Sequence, residues 1–196
     1  FPALSQNKYP EELIKGLIAE YQQFVKSVSF VKRAVTLSDN FNYVFVGLRR
    51  VGKSYLMYQQ IHHLIETGIS PEEILFFNFE DERIAGMDTE HLDMIKRCYE
   101  EMYSHRPIFF LDEIQIVPHW EQFVRRLADQ KYRVYVTGSN AKMLSKDIAT
   151  TLGGRFMIQY VYPFSFREYL SSNGVQLDKL WIYKNRSEVV RHFDTY

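Results

Sequence analysis

The sequence predicts an α/β fold in which a parallel β-sheet carries helices on both faces. Three observations point there. A glycine-containing octapeptide joins the apolar run 43–46 to a stretch of helical periodicity, so strand, loop and helix follow one another directly. Short apolar runs near 74–79, 108–112, 133–138 and 156–162 alternate with amphipathic stretches, as strands buried on both faces do. The run at 108–112 ends in two adjacent acids, Asp112 and Glu113, at a strand's carboxyl end.

Size and composition bound the rest. The 196 residues fit one ordinary α/β domain with a short extra segment, and 46% hydrophobic with 16% aromatic residues can build a substantial core. Lys+Arg and Asp+Glu both number 24, so the formal net charge is zero. That excludes a dominant non-specific nucleic-acid surface but leaves a local basic patch open. The single Cys98 excludes an intramolecular disulfide, reads as a small helix residue, and suits a reducing cytoplasm. No apolar run approaches the ~20 residues that cross a bilayer, so no membrane partner is expected. Phe1 is not an initiator methionine, and the start reads as processed, trimmed or missing.

Residues 11–37 read as a helical region. Pro10, Glu11 and Glu12 suit its first turn, and Leu13, Leu17, Ile18, Tyr21, Phe24 and Val25 supply the apolar stripe. This region packs on the sheet or over a nucleotide base. Ser38-Asp39-Asn40 breaks the pattern before the first strand, 43–47.

Gly47-Leu48-Arg49-Arg50-Val51-Gly52-Lys53-Ser54 then reads G-x-x-x-x-G-K-S, a phosphate-binding P-loop (Walker A). Gly47 and Gly52 are expected to turn with positive dihedrals and to bring the backbone close to a phosphate. The loop amides from Gly47 through Tyr55, with Leu48 and Val51 among them, and the positive end of the new helix would cradle the anion. Lys53 is expected to reach the β- and γ-phosphates, and the Ser54 hydroxyl to ligate Mg²⁺. Arg49 and Arg50 fill variable positions and are assigned no catalytic role beyond local positive potential.

The helix after the loop carries Met57, Ile61, Leu64 and Ile65 on one face and closes at Thr67-Gly68. Ser70-Pro71-Glu72-Glu73 is a capping box that opens a short helical turn before the strand 74–79. Glu80-Asp81-Glu82 reads as a solvated loop, the alternative being that the strand's carboxyl end carries these acids to the site. Residues 88–103 form a helix with Leu92, Ile95, Tyr99 and Met102 inward.

Pro107-Ile108-Phe109-Phe110-Leu111-Asp112-Glu113 has the Walker B pattern. Asp112 would hold the Mg²⁺ shell and Glu113 would polarise the attacking water. From Pro118 to Gln130 an amphipathic helix turns Trp120, Phe123, Val124 and Leu127 inward. The strand 133–138 ends in Ser139 and Asn140. By resemblance to P-loop ATPases with a second acid in Walker B, one of these would sense the γ-phosphate; Gly-Ser-Asn is equally an ordinary turn and N-cap. Thr151-Leu152-Gly153-Gly154-Arg155 leads to a lone arginine, which either reaches a γ-phosphate in cis or in trans or anchors its loop through a carboxylate. The last strand, 156–162, stops at Pro163, and the capping box Ser165-Phe166-Arg167-Glu168 opens a helix through Leu170.

The motifs G-L-R-R-V-G-K-S, I-F-F-L-D-E-I-Q, V-T-G-S-N-A, L-G-G-R-F and Y-P-F-S-F-R-E-Y-L, in that order, resemble the prokaryotic AAA-family P-loop ATPases that carry an uncharacterised C-terminal domain. The resemblance spans most of residues 30–170. It implies a P-loop NTPase fold with sheet order 5-1-4-3-2, ATP and Mg²⁺ as ligands, and a glycine-arginine loop at Arg155 that would serve a homo-oligomer. It also implies a further domain, so the chain reads as an amino-terminal fragment. On this reading 1–162 form the ATPase domain, 1–40 its N-terminal helical region, and 163–196 the start of a C-terminal helical region.

The expected function is Mg²⁺-dependent ATP hydrolysis with catalytic candidates Glu113, Lys53, Asn140 and Arg155. The rival is an ATP-dependent switch with negligible hydrolysis. No Asn-Lys-x-Asp motif occurs, which favours adenine over guanine. A small-molecule kinase would need an arginine-rich lid, whereas Arg155 is the one arginine in 141–162. Protein or DNA partners stay open.

Overall fold

The computed structural model of the protein describes residues 9–139, 143 and 148–196. Five strands form one sheet: β1 (Asn42–Val46), β2 (Ile74–Asn78), β3 (Ile108–Asp112), β4 (Val134–Gly138) and β5 (Phe156–Tyr160). Their order is β2-β3-β4-β1-β5 and every pairing is parallel. This is the 5-1-4-3-2 order the resemblance implied, in a P-loop NTPase fold. All carboxyl ends therefore share one edge, with Asn78 beside Asp112 and Val46 between Gly138 and Tyr160.

The two central strands β3 and β4 are buried at every position, which is why they read as unbroken apolar runs. Phe110 stacks on Tyr135 with ring centroids 4.5 Å apart, and Tyr43 stacks on the far side of Tyr135. β2 is an edge strand, but helix α1 (Glu11–Ser27) covers it. Tyr21 sets its ring edge-on to Phe76 and Phe77, and the Gln22 amide donates to the Ile74 carbonyl at 3.0 Å. Helices α2 (Lys53–Glu66), α3 (Thr89–Met102) and α4 (Trp120–Asp129) connect the strands, and each buries the apolar stripe its periodicity predicts.

One expectation needs correction: the helical region does not run to residue 37. It stops at Ser27, where Val28 turns extended (φ −64, ψ 130). The Ser27 hydroxyl bonds back to the Phe24 carbonyl, and the burial pattern then switches period. Val28 and Phe30, and after a one-residue shift at Val31 also Arg33, Val35 and Leu37, are covered while Ser29, Lys32, Ala34 and Thr36 are exposed, close to the alternation of an extended segment. That segment crosses the carboxyl edge beside the P-loop.

After the short helix α5 (Ile148–Thr151) and β5, three helices close the chain: α6 (Phe166–Ser172), α7 (Trp181–Lys184) and α8 (Arg186–Phe193). Leu170, Val175 and Val189 form a small apolar cluster separate from the sheet's core. Among the described residues no helix is long and apolar enough to cross a membrane.

Candidate active site

The loop from β1 to α2 owes its shape to two glycines acting differently. Gly52 takes φ +94 and caps α2, a left-handed geometry that glycine adopts without strain. Gly47 does not take the expected positive φ. Its need is steric: a Cβ there would lie 2.4 Å from the Val161 carbonyl oxygen and 2.9 Å from Val51 Cγ2. The second left-handed residue of the loop is Arg50, at φ +64.

Lys53 is buried at the start of α2, where its Nζ donates to the Leu48 carbonyl at 2.9 Å and lies 3.4 Å from Glu113 Oε1. The Ser54 hydroxyl donates to Asp112 Oδ1 at 3.0 Å. Asp112 itself is only 4% exposed at the end of β3. Burial pushes its carboxyl up to about 6, although hydrogen bonds from Thr137 and Ser54 oppose the shift. Glu113 follows in the left-handed region (φ 53), an uncommon conformation for a side-chain-bearing residue that recurs at functional sites. That turn folds its carboxylate back over the sheet edge toward Lys53.

Two cavities meet at the loop. One, of 810 Å³, is lined by Arg49, Arg50, Lys53, Ser54, Glu80 and Glu113. The other, of 610 Å³, lies between the extended segment and the β5 exit, with Phe30, Val31, Tyr55, Pro163 and Phe164 in its wall. Arg50, Gly52 and Tyr55 belong to both. A chamber lined by charged side chains thus adjoins an apolar one over the N-terminus of α2.

The remaining candidates divide. Ser139 reaches the site, donating to Glu113 Oε2 at 3.0 Å. Asn140 lies outside the described residues. Leu48 is exposed and contributes its carbonyl to Lys53; Val51 is half-buried; Tyr55 is half-exposed and packs edge-on against Tyr58. Arg49 pairs with Glu80 at 2.6 Å across the rim of the polar cavity. Of the three acids after β2, Glu80 thus lines the site, whereas Asp81 caps a short turn at Glu82–Ile84 and accepts from the Tyr21 hydroxyl.

Arg155 is not brought to the loop within this chain. It precedes β5, where the Asn42 amide donates to its carbonyl, so it sits at the amino edge of the sheet. Four residue steps along β1 put that edge about 13 Å from the loop. Its guanidinium pairs with Asp129 at 2.5 Å.

Three residues of the site went unassigned in the sequence reading. Thr137 is fully buried, donates to Asp112 Oδ1 at 2.6 Å and accepts from the Glu113 amide at 2.8 Å, fixing both acids. A hydroxyl interrupting the run Val134-Tyr135-Val136 was the available signal. Gln115, two residues past the acid pair, donates to Glu113 Oε2 at 2.6 Å. Arg33 carries no signal, since it falls within the stretch 11–37 that reads as helical. It is 7% exposed and donates to the Val51 carbonyl, the Tyr162 carbonyl and Glu168 at 3.0, 2.6 and 2.9 Å.

Fold and loop together define a P-loop NTPase domain. A family profile described as AAA domain matches residues 39–170. The chain belongs to that family. An uncharacterized protein of Methanocaldococcus jannaschii is 30% identical over 186 residues, 94% of this chain and 41% of its own length. An uncharacterized protein of Haemophilus influenzae is 34% identical over 168 residues, 84% of this chain and 42% of its own. The chain thus spans about two fifths of these relatives. Among solved structures, AMPPCP-bound DnaA from Aquifex aeolicus aligns with a TM-score of 0.47 at 14% identity, covering 93% of this chain and 57% of that one. The ORC1 protein of Aeropyrum pernix, in complex with DNA, gives 0.44 at 14% identity, over 84% and 49%.

Proposed function

We propose that this chain binds ATP with Mg²⁺ and hydrolyses its β–γ bond. The observation that carries the reading is the convergence of four side chains from two elements: Ser54 on Asp112, and Lys53 on Glu113. In this account the loop amides and Lys53 hold the phosphates, and the base lies in the apolar cavity beside Tyr55 and Phe164. The donor set fits Mg²⁺. Ser54 Oγ and Asp112 Oδ1 are hard oxygens 3.0 Å apart, and this ion takes one or two protein oxygens and fills its shell from phosphate and water. Bound there, the ion would neutralise the charge developing on the phosphate oxygens.

Glu113 serves as the base. It accepts a proton as water attacks the γ-phosphorus, and the bond to the β-phosphate oxygen breaks with its electron pair leaving on ADP. Ser139 and Asn140 remain the candidates for sensing the γ-phosphate. Arg155 would act only in trans, from a neighbouring copy, because its own chain holds it at the opposite edge. We place the activity in the cytoplasm, supported by the single buried thiol of Cys98.

A nucleotide-dependent switch is the competing reading, and it draws support from that same placement of Arg155. Steady-state phosphate release decides between them. Wild-type protein should turn over, and Glu113→Gln should bind the nucleotide normally while losing about 10²–10⁴-fold in rate. Absence of wild-type turnover would favour the switch, and undiminished turnover in the variant would remove Glu113 from the role of base.

A further inference from the structure

Glu113 is held by more contacts than its place beside Lys53 requires. Its Oε1 faces the Lys53 ammonium at 3.4 Å, while Oε2 accepts from Gln115 Nε2 at 2.6 Å and from Ser139 Oγ at 3.0 Å. The short turn Ile114–Ile116 that follows Glu113 brings residues 113 and 115 side by side. The shorter of the two bonds to Oε2 belongs to Gln115.

That bond comes at the expense of the glutamine's other end. Gln115 Oε1 is buried and has no hydrogen-bond partner among the described residues. Turning the amide over would set this oxygen against the Glu113 carboxylate, so the carboxylate dictates the orientation. Gly138 makes the arrangement possible: a Cβ at that position would lie 2.8 Å from Gln115 Oε1 and 2.5 Å from Met143 Cε.

We propose that Gln115 is a positioning residue for hydrolysis. Its amide N–H fixes Glu113 Oε2, and this presents Oε1 to the phosphate cavity at the angle from which it takes the proton of the attacking water. Without the amide, Oε2 keeps only the longer bond from Ser139 at 3.0 Å, so the carboxylate is held less firmly and the reactive oxygen spends less time aimed at that water. The proposal rests on Glu113 as the base and assigns what aims it.

The test is Gln115→Met, which keeps the side chain's length while deleting both the donor and the unpaired acceptor. The expected result has three parts: a thermal midpoint equal to or above wild type, affinity for a non-hydrolysable ATP analogue with Mg²⁺ within twofold, and kcat reduced at least tenfold. Gln115→Ala, which only removes atoms, should show the same kcat loss and covers the case in which methionine does not pack. The double variant Gln115→Met/Glu113→Gln should be no slower than Glu113→Gln alone, because an effect exerted through Glu113 vanishes with it. Wild-type kcat in both Gln115 variants, or losses that add fully in the double variant, would overturn the proposal. If Glu113→Gln itself keeps wild-type turnover, the base reading fails instead, so the two failures are told apart.

Discussion

Asp112→Asn should make this protein more stable and less useful. Asp112 is 4% exposed, and its carboxyl is pushed up to about 6 from an ordinary aspartate value near 4, chiefly by burial. The native state therefore keeps a proton that the unfolded chain has released between about pH 4 and pH 6, so stability falls as pH rises through that window. Above it the whole burden of a buried charge is present, about 3 kcal/mol for two pH units. Asparagine keeps an oxygen to accept from Thr137 and Ser54 while removing the charge. Thermal unfolding in EDTA at pH 8 should then show the variant melting roughly 6–12 °C above wild type, given ~2–4 °C per kcal/mol in a domain of this size. At pH 5 the gap should shrink, since wild-type Asp112 is already mostly protonated. Adding Mg²⁺ with a non-hydrolysable ATP analogue should raise wild type far more than the variant. An unchanged midpoint at pH 8, or the same gap at both pH values, would show that the buried charge of Asp112 does not burden the fold.

Two further perturbations test how the site is tied to its surroundings. Arg33→Ala removes the cation that joins the P-loop carbonyl of Val51 to Glu168 on α6 and leaves that largely buried carboxylate with only its neutral donors from Ala34 and Ser165. Chemical denaturation should show a loss of about 3–5 kcal/mol, and Arg33→Lys should recover little of it because a single ammonium cannot reproduce the three-way fork. Arg155→Ala should leave nucleotide affinity intact and lower turnover by ~10³-fold only under conditions where sedimentation shows self-association. Loss of turnover in a protein that stays monomeric would instead indicate a role for the Arg155–Asp129 pair within one chain.

Most of the fold was legible because its signals are local and repeated. Each strand is a short apolar run with punctuation on both sides, and residues such as Ser70, Ser165 and their partner glutamates announce helix starts unaided. The end of the first helix was missed at Ser27, since Val28, Phe30 and Val31 extend an apolar composition whose period changes from helical to alternating within a few residues. The site divides along the same line. Lys53, Ser54, Asp112 and Glu113 belong to contiguous motifs whose spacing encodes their chemistry, and the folded chain brings them together. Thr137, Gln115 and Arg33 matter through contacts 18 to 135 residues away or through one turn's geometry, which no spacing in the chain expresses. Gly47 shows a subtler gap. The motif suggests a glycine there for its dihedral freedom, but it is the carbonyl of Val161, just past the neighbouring strand β5, that leaves no room for a side chain.

Everything proposed for this site depends on the amides and cation of residues 47–54 holding a triphosphate chain with the 112–113 acids beside it. Calorimetric titration of a non-hydrolysable ATP analogue into wild type and Lys53→Ala, each with Mg²⁺ and with EDTA, addresses this most directly. Wild type should show one tight, Mg²⁺-dependent site, and the variant should bind at least ~hundredfold more weakly. Equal binding by both proteins, or binding indifferent to the metal, would contradict this arrangement.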